Sequence, residues 1–148
     1  MKIRDFLKTR KTKGVITVKP DDTEHSALQK LVENNIGALP VCNENGELLG
    51  ILSERDLLKE WLRRGDSIGS TKVEELMTRN VAVAHLDDEL DYAAAVMKKK
   101  GIRHLPVVTG QTVESILSMR DVVGEILAEV EAEVRYVEFL KSHRGRPY

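Results

Sequence analysis

Several things that would assign a function outright are missing from this chain. A single cysteine, Cys42, can neither close an internal disulfide nor build a zinc site by itself. The four histidines, at 25, 85, 104 and 143, lie far apart and lack metal-ligand spacing. Neither common phosphate cradle is present, whether Gly-x-Gly-x-x-Gly or Gly-x4-Gly-Lys-Ser/Thr. Charge is balanced at a net −1, so no global field draws the molecule to DNA or to an anionic membrane. Apolar runs stop at about four or five residues, too short for a spanning helix. The basic start MKIRDFLKTRKTKG has no apolar stretch of the secretory kind, so no signal peptide is expected and the cytoplasm is the default location.

What is present suffices for a core. With 41% hydrophobic residues in 148, a folded chain buries about 68–70% of the surface it exposes when unfolded. At roughly 150 residues per domain, that is one compact unit or two small ones.

An internal repeat favours two. Residues 15–41 (VITVKPDDTEHSALQKLVENNIGALPV) align with 81–107 (VAVAHLDDELDYAAAVMKKKGIRHLPV), with eight of 27 positions identical. After a one-residue deletion, residues 48–64 align with 113–129, and Ile-Leu-Ser-x-Arg-Asp is shared outright at 51–56 and 116–121. The lead-ins Lys2–Leu7 and Lys72–Met77 also correspond. The division expected is therefore a first unit at 2–64, a linker at 65–71, a second unit at 72–130, and a C-terminal helix extension and tail at 131–148.

Within each unit the periodicities change in order. Val15–Val18 is short and β-branched and reads as a strand. Asp21, Asp22 and Thr23, like Asp87 and Asp88 in the second unit, stand where a helix N-terminus is favoured by anions, and Ala27, Leu28, Leu31 and Val32 follow at helical spacing. Gly37–Cys42 and Leu48–Leu52 read as strands joined by the turn residues Asn43–Gly46. Ser53, with Asp56 three residues on, caps a second helix. The order is β-α-β-β-α, twice, an α+β fold. Pro40 and Pro106 fall inside strands, which predicts a bend or bulge there. Cys42 reads as a small buried hydrophobe, and Trp61, aligned with Ile126, as core or interface filler.

The repeated Ser-x-Arg-Asp is the remaining candidate for chemistry. Ser53 and Asp56, and likewise Ser118 and Asp121, project around the start of a helix leaving a strand. A carboxylate there can accept two hydrogen bonds from a ribose diol. First-turn N–H groups, the hydroxyl and Arg55 or Arg120 can meet a phosphate. A plain capping box accounts for the same spacing, so both readings stay open.

With these motifs in view, IGALPVCNENGELLGILSERDLL and IRHLPVVTGQTVESILSMRDVV resemble the two halves of a tandem CBS-domain pair, or Bateman module, over about residues 2–130. The chain is similar in shape to stand-alone two-CBS proteins. The resemblance implies two motifs related by a pseudo-twofold axis, leaving two clefts for adenosyl compounds: AMP, ADP or ATP, with S-adenosylmethionine or NAD as further ligands. Transferred by position, one cleft combines Ser53, Arg55 and Asp56 with Ala82, Ile102, Arg103, His104 and Pro106. The other combines Ser118, Arg120 and Asp121 with Ile16, Ile36, Gly37, Ala38 and Pro40. Arg103-His104 stands, in reversed order, where the gamma subunits of AMP-activated kinase carry a His-Arg pair. Gly37-Ala38 lacks both charges. The Ser53 cleft is therefore expected to bind phosphorylated adenosine more tightly, and Ser115, replacing Gly50, to crowd the other.

The function expected is regulatory and not enzymatic: an adenine-nucleotide sensor that modulates a protein partner whose identity is open. A ligand-independent scaffold dimer is the alternative. A nucleic-acid role rests on six basic residues in 1–14 and on Arg144 and Arg146 at the end, a pattern more often merely solvated. A homodimer is expected, because Val123, Leu127, Val130, Val134 and Val137 recur at spacings of 4, 3, 4 and 3, the seam of a short coiled coil.

Overall fold

The computed structural model describes residues 1–11, 14–65 and 69–143. The centre of the expected linker, Lys13, and the basic tail residues Arg144 and Arg146 lie outside the described residues.

The chain forms an α+β structure with a repeated order. It runs α1 (Ile3–Thr9), α2 (Glu24–Glu33), β1 (Ala38–Cys42), β2 (Leu48–Ser53) and α3 (Glu54–Arg64). It continues with α4 (Val73–Leu76), β3 (Ala84–His85), α5 (Leu90–Lys100), β4 (His104–Thr109), β5 (Thr112–Ser118) and α6 (Met119–Ser142). β1 and β2 form an antiparallel hairpin, while β3, β4 and β5 form a mixed sheet with β3 parallel to β4.

The strand expected at Val15–Val18 is reduced to one parallel bridge, Val18 to Val41. The backbone turns immediately afterwards: the Lys19 N–H donates to Asp22 Oδ2 at 2.9 Å, and Pro20 has no donor to extend a ladder. His85 N–H donates to Asp88 Oδ2 in the same way, ending β3 after two residues. These aspartates thus close turns and are not the helix caps. The cap of α2 is Thr23, which accepts from Ser26 N–H, and Asp87 instead pairs with Arg4 at 2.8 Å. Both hairpins carry the irregularity expected beside their prolines, between Val41 and Cys42 and between Val107 and Val108. A bulge there accommodates a residue that cannot donate to the ladder.

Each half has its own core, but the lead-in helices are exchanged. Ile3 and Phe6 of α1 are buried with Ala84, Leu90, Met97, Leu105 and Leu117 of the second unit. Their backbone follows: Ile3 N–H donates to Asp88 O and Leu90 N–H to Met1 O, both at 2.9 Å. Reciprocally, Val73 and Met77 pack with Val18, Leu31, Leu39 and Leu52 of the first unit. The sequence boundaries at 2–64 and 72–130 therefore cut across the packing units, because each lead-in buries its apolar side on the opposite half. A third cluster joins the halves through Cys42, Val108 and Val113, with Leu48 N–H donating to Gln111 O. Cys42 is the buried hydrophobe expected, and burial raises its thiol pKa.

Two expectations about exposure change. Trp61 is 54% exposed, so it fills no core in this chain, whereas its counterpart Ile126 packs on the second core. Trp61, Leu58 and Leu28 instead line an apolar groove of about 320 Å³ between α2 and α3. On α6 only Val122 is buried, and the stripe Val123, Leu127, Val130, Val134 and Val137 faces solvent. Among the described residues no helix is long and apolar enough to cross a membrane, and no cluster of side chains is arranged to hold a metal ion.

Candidate functional site

The two Ser-x-Arg-Asp motifs fold alike and end differently. In the first, Ser53 caps α3, with Asp56 N–H donating to Ser53 Oγ at 3.2 Å. The Asp56 carboxylate returns the contact, accepting from Ser53 N–H at 3.0 Å and from Ser53 Oγ at 2.9 Å. The box is closed, and Asp56 is committed to its own helix. In the second, Asp121 N–H donates to Ser118 Oγ at 3.1 Å, but the carboxylate turns away. It accepts from Arg10 Nη2 at 3.0 Å. Asp121 is thus held by an exchangeable side chain at the rim of a cleft of about 880 Å³.

That cleft gathers residues of both halves. Ile36, Gly37, Ala38 and Glu54 come from the first, and Arg103, His104, Ile116, Ser118, Arg120 and Asp121 from the second. Arg10 reaches in from the end of α1. Within each half, Glu54 N–H donates to Gly37 O at 2.9 Å and Met119 N–H to Arg103 O at 2.8 Å. These equivalent bonds tie each helix start to the residue entering the preceding hairpin.

This arrangement corrects the grouping expected from position. Position groups Arg103 and His104 with Ser53 and Asp56; in the structure both line the cleft holding Ser118 and Asp121, and Arg103 also lines a groove with Arg55 and Ile102. Hairpin register is the reason: His104 lies opposite Ser118, as Ala38 lies opposite Ser53. Ser118 and Asp121 thus meet the hairpin entrance of their own motif at Arg103 and His104, and also that of the other motif at Ile36, Gly37 and Ala38, as position implied. Arg10, Arg103 and Arg120 therefore line the cleft that holds Asp121, where position alone placed only Arg120.

Of the remaining predicted residues, Arg55 and Ile102 share a groove with Arg103 and the others lie apart from it. Ser53 and Asp56 do not line the 880 Å³ cleft. Arg55 faces Lys98, Ile102 and Arg103 across a separate, shallow groove of about 530 Å³. Ile16 packs on the first core and Ala82 on the second. Pro40 and Pro106 are strand residues facing Ile51 and Ile116. Ser115 does not crowd the cleft, because it is buried and its Oγ accepts from Arg10 Nη1 at 3.2 Å. Its counterpart must be glycine, since a Cβ at Gly50 would come within 2.7 Å of the Thr78 carbonyl oxygen where the exit of α4 crosses β2.

Electrostatically the cleft is cationic. Burial is the main cause lowering the His104 pKa, and Arg103 adds to it, while Glu54 and Asp121 oppose it. Burial thus disfavours a charge on the imidazole, and Arg10, Arg103 and Arg120 carry the positive charge of the cleft. Sequence reasoning missed Arg10 and Glu54. Arg10 stood in the basic N-terminal run, but nothing in that run shows that α1 docks on the other half.

The CBS-domain family model matches residues 3–63 and 73–128. The chain belongs to the CBS-domain family. The match spans both halves, so the chain is a tandem CBS pair, with two small sheets and six helices among the described residues, the last helix being the long C-terminal one. Among solved structures, a CBS-domain containing protein from Agrobacterium tumefaciens is 33% identical with a TM-score of 0.78, covering 84% of this chain and 98% of that one. A CBS-domain pair solved with 5'-methylthioadenosine and S-adenosyl-L-methionine is 31% identical, with a TM-score of 0.76, covering 87% and 98%. An uncharacterized protein of Methanopyrus kandleri is 30% identical over 128 residues, 83% of this chain and 65% of that one. The CBS pair matches between 21% and 65% of the length of the first curated relatives.

Proposed function

We propose that this CBS pair is a regulatory module that binds an adenosyl ligand in the cleft containing Ser118 and Asp121 and passes its occupancy to a protein partner. The observation that carries the reading is Asp121, a carboxylate left out of its own capping box at the mouth of a cleft lined by three arginines. A ribose diol can donate both hydroxyls to it. The first-turn N–H groups of α6 and Arg120 suit a phosphate, and Ile36 and Ile116 offer apolar area for a base. The relative solved with S-adenosyl-L-methionine and 5'-methylthioadenosine supports the adenosyl class. The arginines favour AMP, ADP or ATP within it. Ligand acts by its differential affinity for two arrangements of the halves, which meet at this cleft.

Titration calorimetry with AMP, ATP, NAD and S-adenosylmethionine tests the proposal. One of them binds the wild type in the micromolar range and fails to bind Asp121→Ala. Binding that persists unchanged in that variant refutes the assignment.

The module works as a homodimer in the same reading. What supports it is the stripe on α6, where Leu127, Val130 and Val134 are each more than half exposed at seam spacing. Such a stripe is costly to leave in water and is covered when two copies pack α6 together. Within one copy the stripe stays exposed, for only Val122 of α6 is buried.

A further inference from the structure

We propose that Arg10 sets the charge preference of the Ser118–Asp121 cleft, making it select adenosyl ligands that carry a phosphate over neutral or sulfonium-bearing ones. The inference rests on the adenosyl reading of that cleft and adds a residue supplied by the exchanged N-terminal helix.

The guanidinium is anchored independently of Asp121. Its Nη1 donates to Ser115 Oγ at 3.2 Å and to the Ile116 carbonyl at 3.0 Å. Its central carbon lies 5.1 Å from the centroid of the Phe6 ring, which is itself buried in the second core. Only Nη2 is given to Asp121. When a ribose diol takes the Asp121 carboxylate, Arg10 therefore stays in the cleft and loses part of its counter-charge. Arg103 and Arg120 line the same cavity, so its three guanidinium groups outnumber the carboxylates of Glu54 and Asp121. A ligand phosphate restores the balance through a charge-assisted bond to Nη2. An uncharged nucleoside leaves this positive excess unmatched, and a sulfonium adds to it.

Among the described residues the other half shows no such device. Past α4, Thr78 pairs backbone to backbone with Ile51, and Arg79 donates to the Glu74 carbonyl. Asp56 consequently keeps its closed box. The selectivity belongs to one cleft.

Calorimetry on the full chain with AMP, adenosine and S-adenosylmethionine tests this, using wild type, Arg10→Met and Arg10→Lys. Methionine retains an apolar stem over Phe6 while removing the charge. We expect Arg10→Met to bind AMP about 10- to 100-fold more weakly, the size of one lost charge-assisted contact. Adenosine binding stays within about twofold and S-adenosylmethionine binds more tightly, while Arg10→Lys keeps part of the AMP preference. Equal weakening of all three ligands makes Arg10 a structural brace and overturns the inference, as does an unchanged AMP-to-adenosine ratio. Should Arg10→Met fail to fold, as judged by circular dichroism, Arg10→Gln carries the same comparison. A wild type that binds none of the three overturns the adenosyl reading together with this inference. A wild type that binds, with a ratio indifferent to position 10, overturns this inference alone.

Discussion

Gly37 lies against the imidazole of His104: a Cβ at position 37 would stand 3.0 Å from Cε1 and 3.1 Å from Nε2. The two residues belong to different repeats, and the missing side chain of one makes room for the ring of the other. What read in sequence as a loss of charge in the first repeat is, in the fold, the space that lets His104 reach the shared cleft. Gly37→Val should push the ring outward, costing about 1–3 kcal/mol of stability as overpacking does, and weaken ligand binding. Chemical denaturation and calorimetry on the same variant check both effects. Unaltered His104 ring resonances would contradict the contact.

The His104 pKa is lowered on folding, chiefly by burial. The folded state therefore prefers the neutral ring and binds fewer protons than the unfolded chain. Its contribution to stability is complete above the unfolded value of about 6.5, and it is lost as pH falls from there through the folded value. His104→Gln should flatten this part of the stability profile between neutral and mildly acidic pH. Thermal melts of both proteins across that range decide it, and parallel profiles would exclude His104 as the source.

The two aspartates should separate stability from binding. Asp56→Ala opens a closed capping box and is expected to cost about 0.5–2 kcal/mol while leaving affinity nearly intact. Asp121→Ala removes a half-exposed ion pair and should change stability by less than about 1 kcal/mol while abolishing ligand binding. Denaturant midpoints and calorimetric titrations on the pair measure the contrast. The reverse pattern would restore the ranking of the clefts by sequence position.

Exchange of the lead-in helices makes the second half dependent on the first residues of the chain. Ile3→Ala deletes a fully buried side chain from the second core and should cost about 2–5 kcal/mol. A fragment beginning at Lys72 lacks both Ile3 and Phe6, and it should give a broad, uncooperative melt. Adding residues 1–9 as a peptide should sharpen it. A fragment that melts cooperatively without the peptide would show the exchange to be dispensable.

The apolar stripe on α6 predicts a dimer whose mass by light scattering at micromolar concentration is twice that of the chain. Placing Val130→Glu and Val134→Glu in one variant buries unpaired charges in the seam and should give a monomer with unchanged helix content. A wild-type monomer would rule the seam out.

Local chemistry made much of this protein legible from its sequence. The repeat announced two similar units, Ser53 and Ser118 marked the starts of α3 and α6, and Pro40 and Pro106 marked where the ladders slip. Each of these depends on a few neighbouring residues, so the chain itself carries the signal. What the tertiary structure alone decided is which half supplies each part of the site. α1 docks on the far core, because burying Ile3 and Phe6 there satisfies no pattern visible in their own repeat. That docking delivers Arg10 to Asp121, while hairpin register keeps His104 beside Ser118. Two nearly identical motifs thereby become unequal: Asp56 is spent on its own helix, and Asp121 is held at the cleft by an arginine from 111 residues away.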